Sequence, residues 1–280
     1  MNIKIISDST CDLPQDLLAQ KDISLFPLVV VKDNVSYKDG VDIFPADIFA
    51  HVAAGGALCS TSAGSVGEYA DMFATYAKDY DAVIHISLGS GFSSTHQNAC
   101  VAASEFDNVY CVDSMNLSTG QGFIVLKALA MAEAGMEAKQ IVAELNALTP
   151  KVEASFLVDR LDYLAKGGRC SAVAALGANL LNLKPCIEVK NGKMGVVKKY
   201  RGNYAKCLAS YVKDRLANRE DIDRDTLFVT YTTVTDDCHK AVFDAVHSCE
   251  PFETLYETTA GCTISCHCGP NTLGVLFMKK

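Results

Sequence analysis

The chain has 280 residues, a formal net charge of −8 and a hydrophobic share of 49%, which fits one large domain or two modest ones around a sizeable core. The acidic balance argues against nucleic acid as the main partner, because phosphate binding calls for clustered Lys and Arg. No secretion signal is visible, and the most apolar segment, 123–134, is short and interrupted by Lys127 and Glu133, so the expectation is a cytoplasmic chain without a membrane span.

In chain order, residues 3–7 read as a buried strand running into Asp8-Ser9-Thr10. Asp12-Leu13-Pro14 then opens a helix with a capping residue and an early proline. A β-branched run at 25–31, the turn pair Asp33-Asn34 and a returning strand at 35–41 suggest a hairpin. Thr61-Ser62-Ala63-Gly64-Ser65 precedes a helix whose apolar face is Val66, Tyr69, Ala70, Phe73 and Ala77. Strand 82–86, helix 95–105, strand 109–112 and helix 118–134, closed by Gly135, give a β-α-β-α alternation. That alternation predicts a parallel sheet with flanking helices.

In such a sheet the loops at the strand C-termini share one edge, where ligands bind. Here those loops are Asp8-Ser9-Thr10, Ser90 to Ser94, and Asp113-Ser114 followed by Ser118-Thr119-Gly120. The stretch 87–99 is the most pointed of them, with two glycines and four serines between a strand and a helix. Glycine lets the backbone approach a ligand, serine offers hydroxyls, and a helix start offers unpaired N–H groups at the positive dipole end; together these suit an anion. A serine-capped connecting loop is the alternative reading of the same residues.

Helix 138–148 is closed by Thr149-Pro150, which divides the chain into 1–150 and 151–280. The second part reads as α+β: a strand at 155–159, a short helix from Leu161 that breaks at Gly167-Gly168-Arg169, and an apolar helix at 173–183. A hairpin at 186–189 and 196–200 turns on Asn191-Gly192, a strong type I′ signal. Helix 204–218, strand 227–231, helix 237–246 and strands 254–257 and 272–278 complete it.

Twelve cysteines are scattered along the chain and read mostly as buried thiols. Cys262, Cys266, His267 and Cys268 invite a metal reading, but on a strand neighbouring side chains point to opposite faces. With no second Cys-x-x-Cys knuckle, no metal is expected.

Several motifs together resemble the DegV family. Asp8-Ser9-Thr10-Cys11-Asp12-Leu13-Pro14 is similar to its Asp-Ser-Thr-Ala-Asp-Leu-Pro opening, and Thr61-Ser62-Ala63-Gly64-Ser65 to its Thr-Ser-Gln-Pro-Ser. Ser90-Gly91-Phe92-Ser93-Ser94-Thr95-His96-Gln97 resembles Ser-Gly-Leu-Ser-Gly-Thr-Tyr-Gln, and Asp113-Ser114 with Ser118, Gly120 and Gly122 resembles Asp-Ser…Ser-x-Gly-x-Gly. Leu161 to Arg169, Leu183-Lys184-Pro185, and His267-x-Gly269-Pro270 with Gly274 follow in order.

The resemblance implies a two-domain DegV-like α/β fold, with a parallel α/β N-terminal domain, an α+β C-terminal domain and a lipid tunnel between them. It implies one long-chain fatty acid as ligand, no cofactor and no catalysis by the chain itself. A separate ATP-dependent fatty-acid kinase subunit would act on the presented carboxylate. By position, Thr61, Ser62, Ser93, Ser94 and His267 would bind the carboxylate. Asp8, Ser9, Ser114 and Arg169 would lie near the head group, and Arg201 would meet the kinase. The departures are Ala63-Gly64 for Gln-Pro, Ser94 for a glycine and His96 for a tyrosine; Ser94 would strain the loop if that position needs positive φ.

Two other readings stand beside this one. Ser93 and His267 could form an esterase-like nucleophile and base, although there is no Gly-x-Ser-x-Gly elbow and no identifiable third member. A nucleotide binder of Rossmann type would want Gly-x-Gly-x-x-Gly after the first strand, which is missing.

Overall fold

The computed structural model describes residues 1–171 and 183–280. The apolar helix expected at 173–183 lies, apart from Leu183, outside the described residues.

Three sheets organise the described residues. Strands β1 (Ile3–Asp8), β2 (Ser24–Phe26), β6 (Ala82–Ser87) and β7 (Val109–Asp113) form a parallel sheet in the order β2-β1-β6-β7. All six residues of β6 are buried, as a strand covered on both faces requires. The connecting helices are α1 (Gln15–Gln20), α2 (Pro45–Ala53), α3 (Val66–Ala77), α4 (Thr95–Ala103), α5 (Thr119–Glu133) and α6 (Ala138–Leu148).

The run expected as one strand at 25–31 is two. Its first part is β2; its second, β3 (Val29–Lys32), joins β4 (Val35–Lys38) and β5 (Ser60–Ser62) in a small antiparallel sheet ordered β4-β3-β5. Pro27 stands between them and has no N–H to continue a ladder. Asp33 (φ 51°) and Asn34 (φ 63°) make the expected hairpin turn, with the two positive φ angles of type I′. Strand β5 has the polar sequence Ser-Thr-Ser and exists because it pairs with β3, Thr61 opposite Val30.

The chain's second half builds a six-stranded sheet ordered β10-β9-β8-β13-β11-β12 from β8 (Val152–Leu157), β9 (Leu183–Lys190), β10 (Lys193–Arg201), β11 (Ile222–Tyr231), β12 (Thr254–Thr259) and β13 (Leu273–Lys279). Its pairs are antiparallel except β11 with β12. The β9–β10 hairpin turns on Asn191 (φ 50°) and Gly192 (φ 70°). Helices α7 (Leu161–Gly167), α8 (Tyr204–Leu216), α9 (Asp236–His247) and α10 (Cys262–Cys268) complete the described α-helices. Strand β8 begins three residues before the expected one and ends at Leu157, short of Asp159.

The segment Cys266-His267-Cys268, read from sequence as strand, is the last turn of helix α10. Strand alternation therefore does not govern these side chains; the helix is fixed by a distant carboxylate, described below. Among the described residues no group of three or more His, Cys, Asp or Glu is placed to hold a metal ion.

One hydrophobic core spans both halves. Phe123 of α5 meets Phe228 of β11 edge to face, with ring centroids 4.9 Å apart at 87°, a favoured aromatic geometry. No helix among the described residues is long and apolar enough to cross a membrane.

Candidate functional site

The loop after β6 is tied down by its neighbours. Leu88 N donates to Asp8 Oδ2 at 2.7 Å, Gly89 N to the Asn116 carbonyl at 2.8 Å and Ser90 N to Asp113 Oδ1 at 3.1 Å. The β9–β10 turn presses on the same loop: a Cβ at Gly91 would fall 2.0 Å from the Gly192 carbonyl oxygen, so only glycine fits there. The loop delivers Ser93 to the start of α4, where its hydroxyl accepts from Thr95 N at 3.2 Å and pairs with Thr95 Oγ1 at 2.8 Å. Ser94 has φ −74°, ψ 0°, so its side chain costs no strain.

Helix α10 is short, and its N–H groups find partners in the chain's first half. Asp39 Oδ1 accepts from Cys262 N at 2.9 Å and Oδ2 from Thr263 N at 3.0 Å. Ser9 Oγ steadies Asp39 at 3.0 Å, and Asp12 Oδ1 accepts from Gly261 N at 2.8 Å. Side-chain oxygens at a helix start satisfy unpaired donors, and the Asp39 carboxylate also complements the dipole. So held, α10 carries His267 to β5, where Nε2 lies 2.7 Å from Thr61 Oγ1. The buried Nδ1 has no hydrogen-bond partner among the described residues, and a Cβ at Gly167 would fall 2.3 Å from it.

These elements enclose a cavity of about 50 Å³. Thr61, Ser62, Ser93, Arg169 and His267 make its polar wall, and Leu28, Leu88, Phe92, Leu164 and Ile264 its apolar one. A second cavity of about 30 Å³ shares Leu117, Ile264 and Cys268 with it and runs on past Phe156 and Leu276. The polar groups are thus gathered at one end of an apolar track between the two halves of the chain.

Burial first, and the Arg169 guanidinium second, push the His267 imidazole down to about 4. His267 is therefore neutral at physiological pH and offers a hydrogen bond without a charge. Arg169 brings the charge; its Nη1 donates to the Gly167 carbonyl at 2.7 Å. Asp12 shows the opposite effect: burial raises its carboxyl to about 8 against the bonds from Ser118 and Gly261.

Of the residues singled out by sequence, Thr61, Ser62, Ser93, Arg169 and His267 meet at this cavity. Ser94 stands beside it at the start of α4. Asp8, Ser9 and Ser114 do not line it. Asp8 is buried under the loop, accepting from Tyr69 Oη at 2.7 Å, with His85 Nε2 at 3.3 Å. Ser9 holds Asp39 and Leu28 N, and Ser114 donates to the Asn116 carbonyl at 3.1 Å. Arg201 is exposed at the end of β10, away from the cavity wall. Asp12 and Asp39 had no such role in the sequence reading, because the amides they hold are more than two hundred residues away. Ser93 and His267 do not pair: Ser93 bonds Thr95 and His267 bonds Thr61. A nucleophile and its base need each other within hydrogen-bond reach.

A sequence model of an uncharacterised protein family, DegV, matches residues 2–280. A DegV domain-containing protein of Clostridium acetobutylicum is 34% identical, with 99% of each chain covered. Among solved structures, a DegV family protein from Thermus thermophilus described by its fatty-acid binding superposes with a TM-score of 0.88 at 30% identity, covering 100% of both chains. A stearic acid-binding protein from Eubacterium ventriosum superposes with a TM-score of 0.84 at 27% identity, covering 99% of this chain and 98% of that one. With the family model matched from end to end and the fold shared throughout, the chain belongs to the DegV family.

Proposed function

We propose that the chain binds one long-chain fatty acid across the junction of two domains, 1–150 and 151–280, and presents its carboxylate to a separate ATP-dependent kinase subunit for acyl-phosphate formation. The observation that carries this reading is the polar end of the cavity, where Thr61, Ser93 and a neutral His267 stand beside Arg169 at the mouth of an apolar track.

A carboxylate taken out of water needs donors or it takes up a proton. With the His267 proton on Nε2, that N–H donates to Thr61 Oγ1 and frees the Thr61 hydroxyl to donate to the carboxylate. Ser93, Ser62 and the start of α4, with Ser94, would add donors, and Arg169 would supply the opposite charge. The acyl chain would follow the apolar seam at Leu117, Ile264 and Cys268 toward Phe156 and Leu276. Asp8, Ser9 and Ser114 would act by holding the loops. The residues described here supply no paired nucleophile and base at Ser93, so the phosphoryl chemistry falls to the partner, with Arg201 on the docking face. The solved fatty-acid-binding relatives support the ligand class.

Extraction of the purified protein with organic solvent, followed by mass spectrometry, tests the ligand. One long-chain fatty acid per chain is expected. A bound nucleotide, or protein that neither carries nor takes up fatty acid, overturns the reading.

A further inference from the structure

A second group of reactive side chains lies along α4, outside the cavity. Cys100 is exposed, and its Sγ lies 3.4 Å from Nε2 of His96, one helical turn earlier. On the other side of the ring, His96 Nδ1 is 2.8 Å from Ser87 Oγ. The Ser87 hydroxyl donates its single proton to the Val112 carbonyl at 3.3 Å. With its proton placed there, it accepts from His96 Nδ1, which then carries the ring proton. That tautomer aims the Nε2 lone pair at the Cys100 thiol. A nucleophile, a base and a group that orients the base stand in line, the arrangement that activates a thiol.

Behind Cys100, on β7, against which α4 packs, Cys111 is half-buried and its thiol acts on that of Cys100. The Cys111 thiol, and then the bond from His96, hold the Cys100 thiol well below its usual range. The same contact, and then burial, keep the proton on Cys111. His96 is raised by its contact with Cys100. An exposed low-pKa thiolate with a second thiol at its back is the setting of an oxidisable cysteine.

We propose that Cys100 is a peroxide-reactive modification site, with His96 as its base and Cys111 as the thiol that resolves it. The Cys100 thiolate attacks the terminal oxygen of a hydroperoxide ROOH, and the O–O bond breaks. The alcohol ROH leaves with the proton from the His96 imidazolium, and Cys100 becomes a sulfenic acid. The Cys111 thiol then attacks that sulfur; an S–S bond forms and the hydroxyl departs as water with the Cys111 proton. Two thiols and one hydroperoxide yield one disulfide, one alcohol and one water, the two electrons passing from sulfur to peroxide. The inference does not depend on what the cavity binds.

The test is iodoacetamide labelling of the native protein across about pH 5 to 9, resolved by peptide mass spectrometry, followed by hydrogen peroxide as the oxidant. At neutral pH Cys100 is expected to label at least about tenfold faster than in the unfolded chain, with its half-point below that of an ordinary thiol. Besides His96 and Cys111, Asp113, Asp8 and His85 act on this pair and shape the profile. His96→Gln should remove the advantage. Ser87→Ala, which frees Nδ1 but keeps base and thiol, should remove part of it and serves if His96→Gln does not fold. Peroxide should give a peptide linked through Cys100 and Cys111, and in Cys111→Ser a sulfenic acid trapped by dimedone. Labelling at the unfolded rate in the native protein, or a Cys100 that peroxide leaves reduced, overturns the proposal.

Discussion

Thr61 makes a contact that a single methyl would end. Its hydroxyl meets His267 at 2.7 Å and faces the cavity. Thr61→Val keeps the β-branched shape and the pairing with Val30 while removing the hydroxyl. One hydrogen bond to a charged group is worth about 1.5–3 kcal/mol, so fatty-acid affinity should fall by roughly ten- to a hundredfold, and Tm should fall as well, because the buried His267 Nε2 loses its partner. Displacement of a fluorescent fatty acid measures it, and an unchanged Kd removes Thr61 from the carboxylate site. Two buried groups set opposite pH dependences of stability. The Asp12 carboxyl is raised to about 8 from 3.8, so the folded state keeps a proton that the unfolded chain gives up. Its contribution is full below about pH 4 and is lost as pH rises toward 8. His267, lowered to about 4 from 6.5, costs stability as pH falls through that interval. The two slopes cancel between about pH 4 and 6.5, and Asp12 alone acts above it. Asp12→Asn, whose side chain tolerates the φ of 50° found there, should spare the protein a loss of about 2 kcal/mol between pH 6.5 and 8. Urea unfolding of both proteins at the two pH values checks this; parallel curves would show that Asp12 is ionised throughout. Thr61, Ser93, Arg169 and His267 were legible because each sits in a motif with a recognisable spacing. Asp12 reads from sequence as the cap of the first helix, yet Pro14 holds that place without a side-chain bond, and Asp12, in the left-handed region, anchors Gly261 instead; nothing in the sequence links positions 249 residues apart.

Helix α10 shows what decides an element when local preference does not. Its residues 262–268 include β-branched Thr263 and Ile264 and read equally well as strand. The choice is made by the Asp39 carboxylate, which takes up the Cys262 and Thr263 N–H groups from the other half of the chain. The hairpin turns at Asp33-Asn34 and Asn191-Gly192 were legible for the opposite reason, because their chemistry is contained in the two residues themselves. Likewise β5, polar throughout, carried no strand signal and depends on β3 for its form. Asp39→Ala should therefore do more than lower stability. It leaves two buried N–H groups unpaired at the start of a short helix, a cost on the order of 2–3 kcal/mol. It should also loosen His267 from Thr61 and so weaken fatty-acid binding. Tm and fatty-acid affinity measured on one preparation check it. A drop in Tm with affinity intact would confine Asp39 to stability and separate α10's anchoring from the carboxylate site.

At the scale of the molecule, the cavity exists because the two halves meet. Its polar wall draws Thr61 and Ser93 from the first and Arg169 and His267 from the second, and the Phe123–Phe228 contact joins their cores. A ligand held there stabilises the meeting of the halves by mass action, and access to its carboxylate from outside is what a kinase partner would need. Arg201 lies on a strand end whose charge is smaller than the sequence suggests. Lys198 is paired with Asp214 at 2.6 Å, which leaves Lys199 and Arg201 as exposed charges. Reversing one of two such charges changes a docking surface while leaving the cavity untouched, and like charges facing each other across an interface are repulsive. Arg201→Glu should therefore leave bound fatty acid unchanged and slow phosphorylation by a reconstituted kinase subunit by on the order of tenfold or more, with the effect shrinking as salt is raised. Lys199→Glu should act in the same direction. Lipid occupancy by mass spectrometry, run beside turnover at two ionic strengths, separates docking from binding. Unchanged turnover in Arg201→Glu takes that residue off the docking face, and loss of lipid in the same variant would mean that the strand end supports the cavity itself.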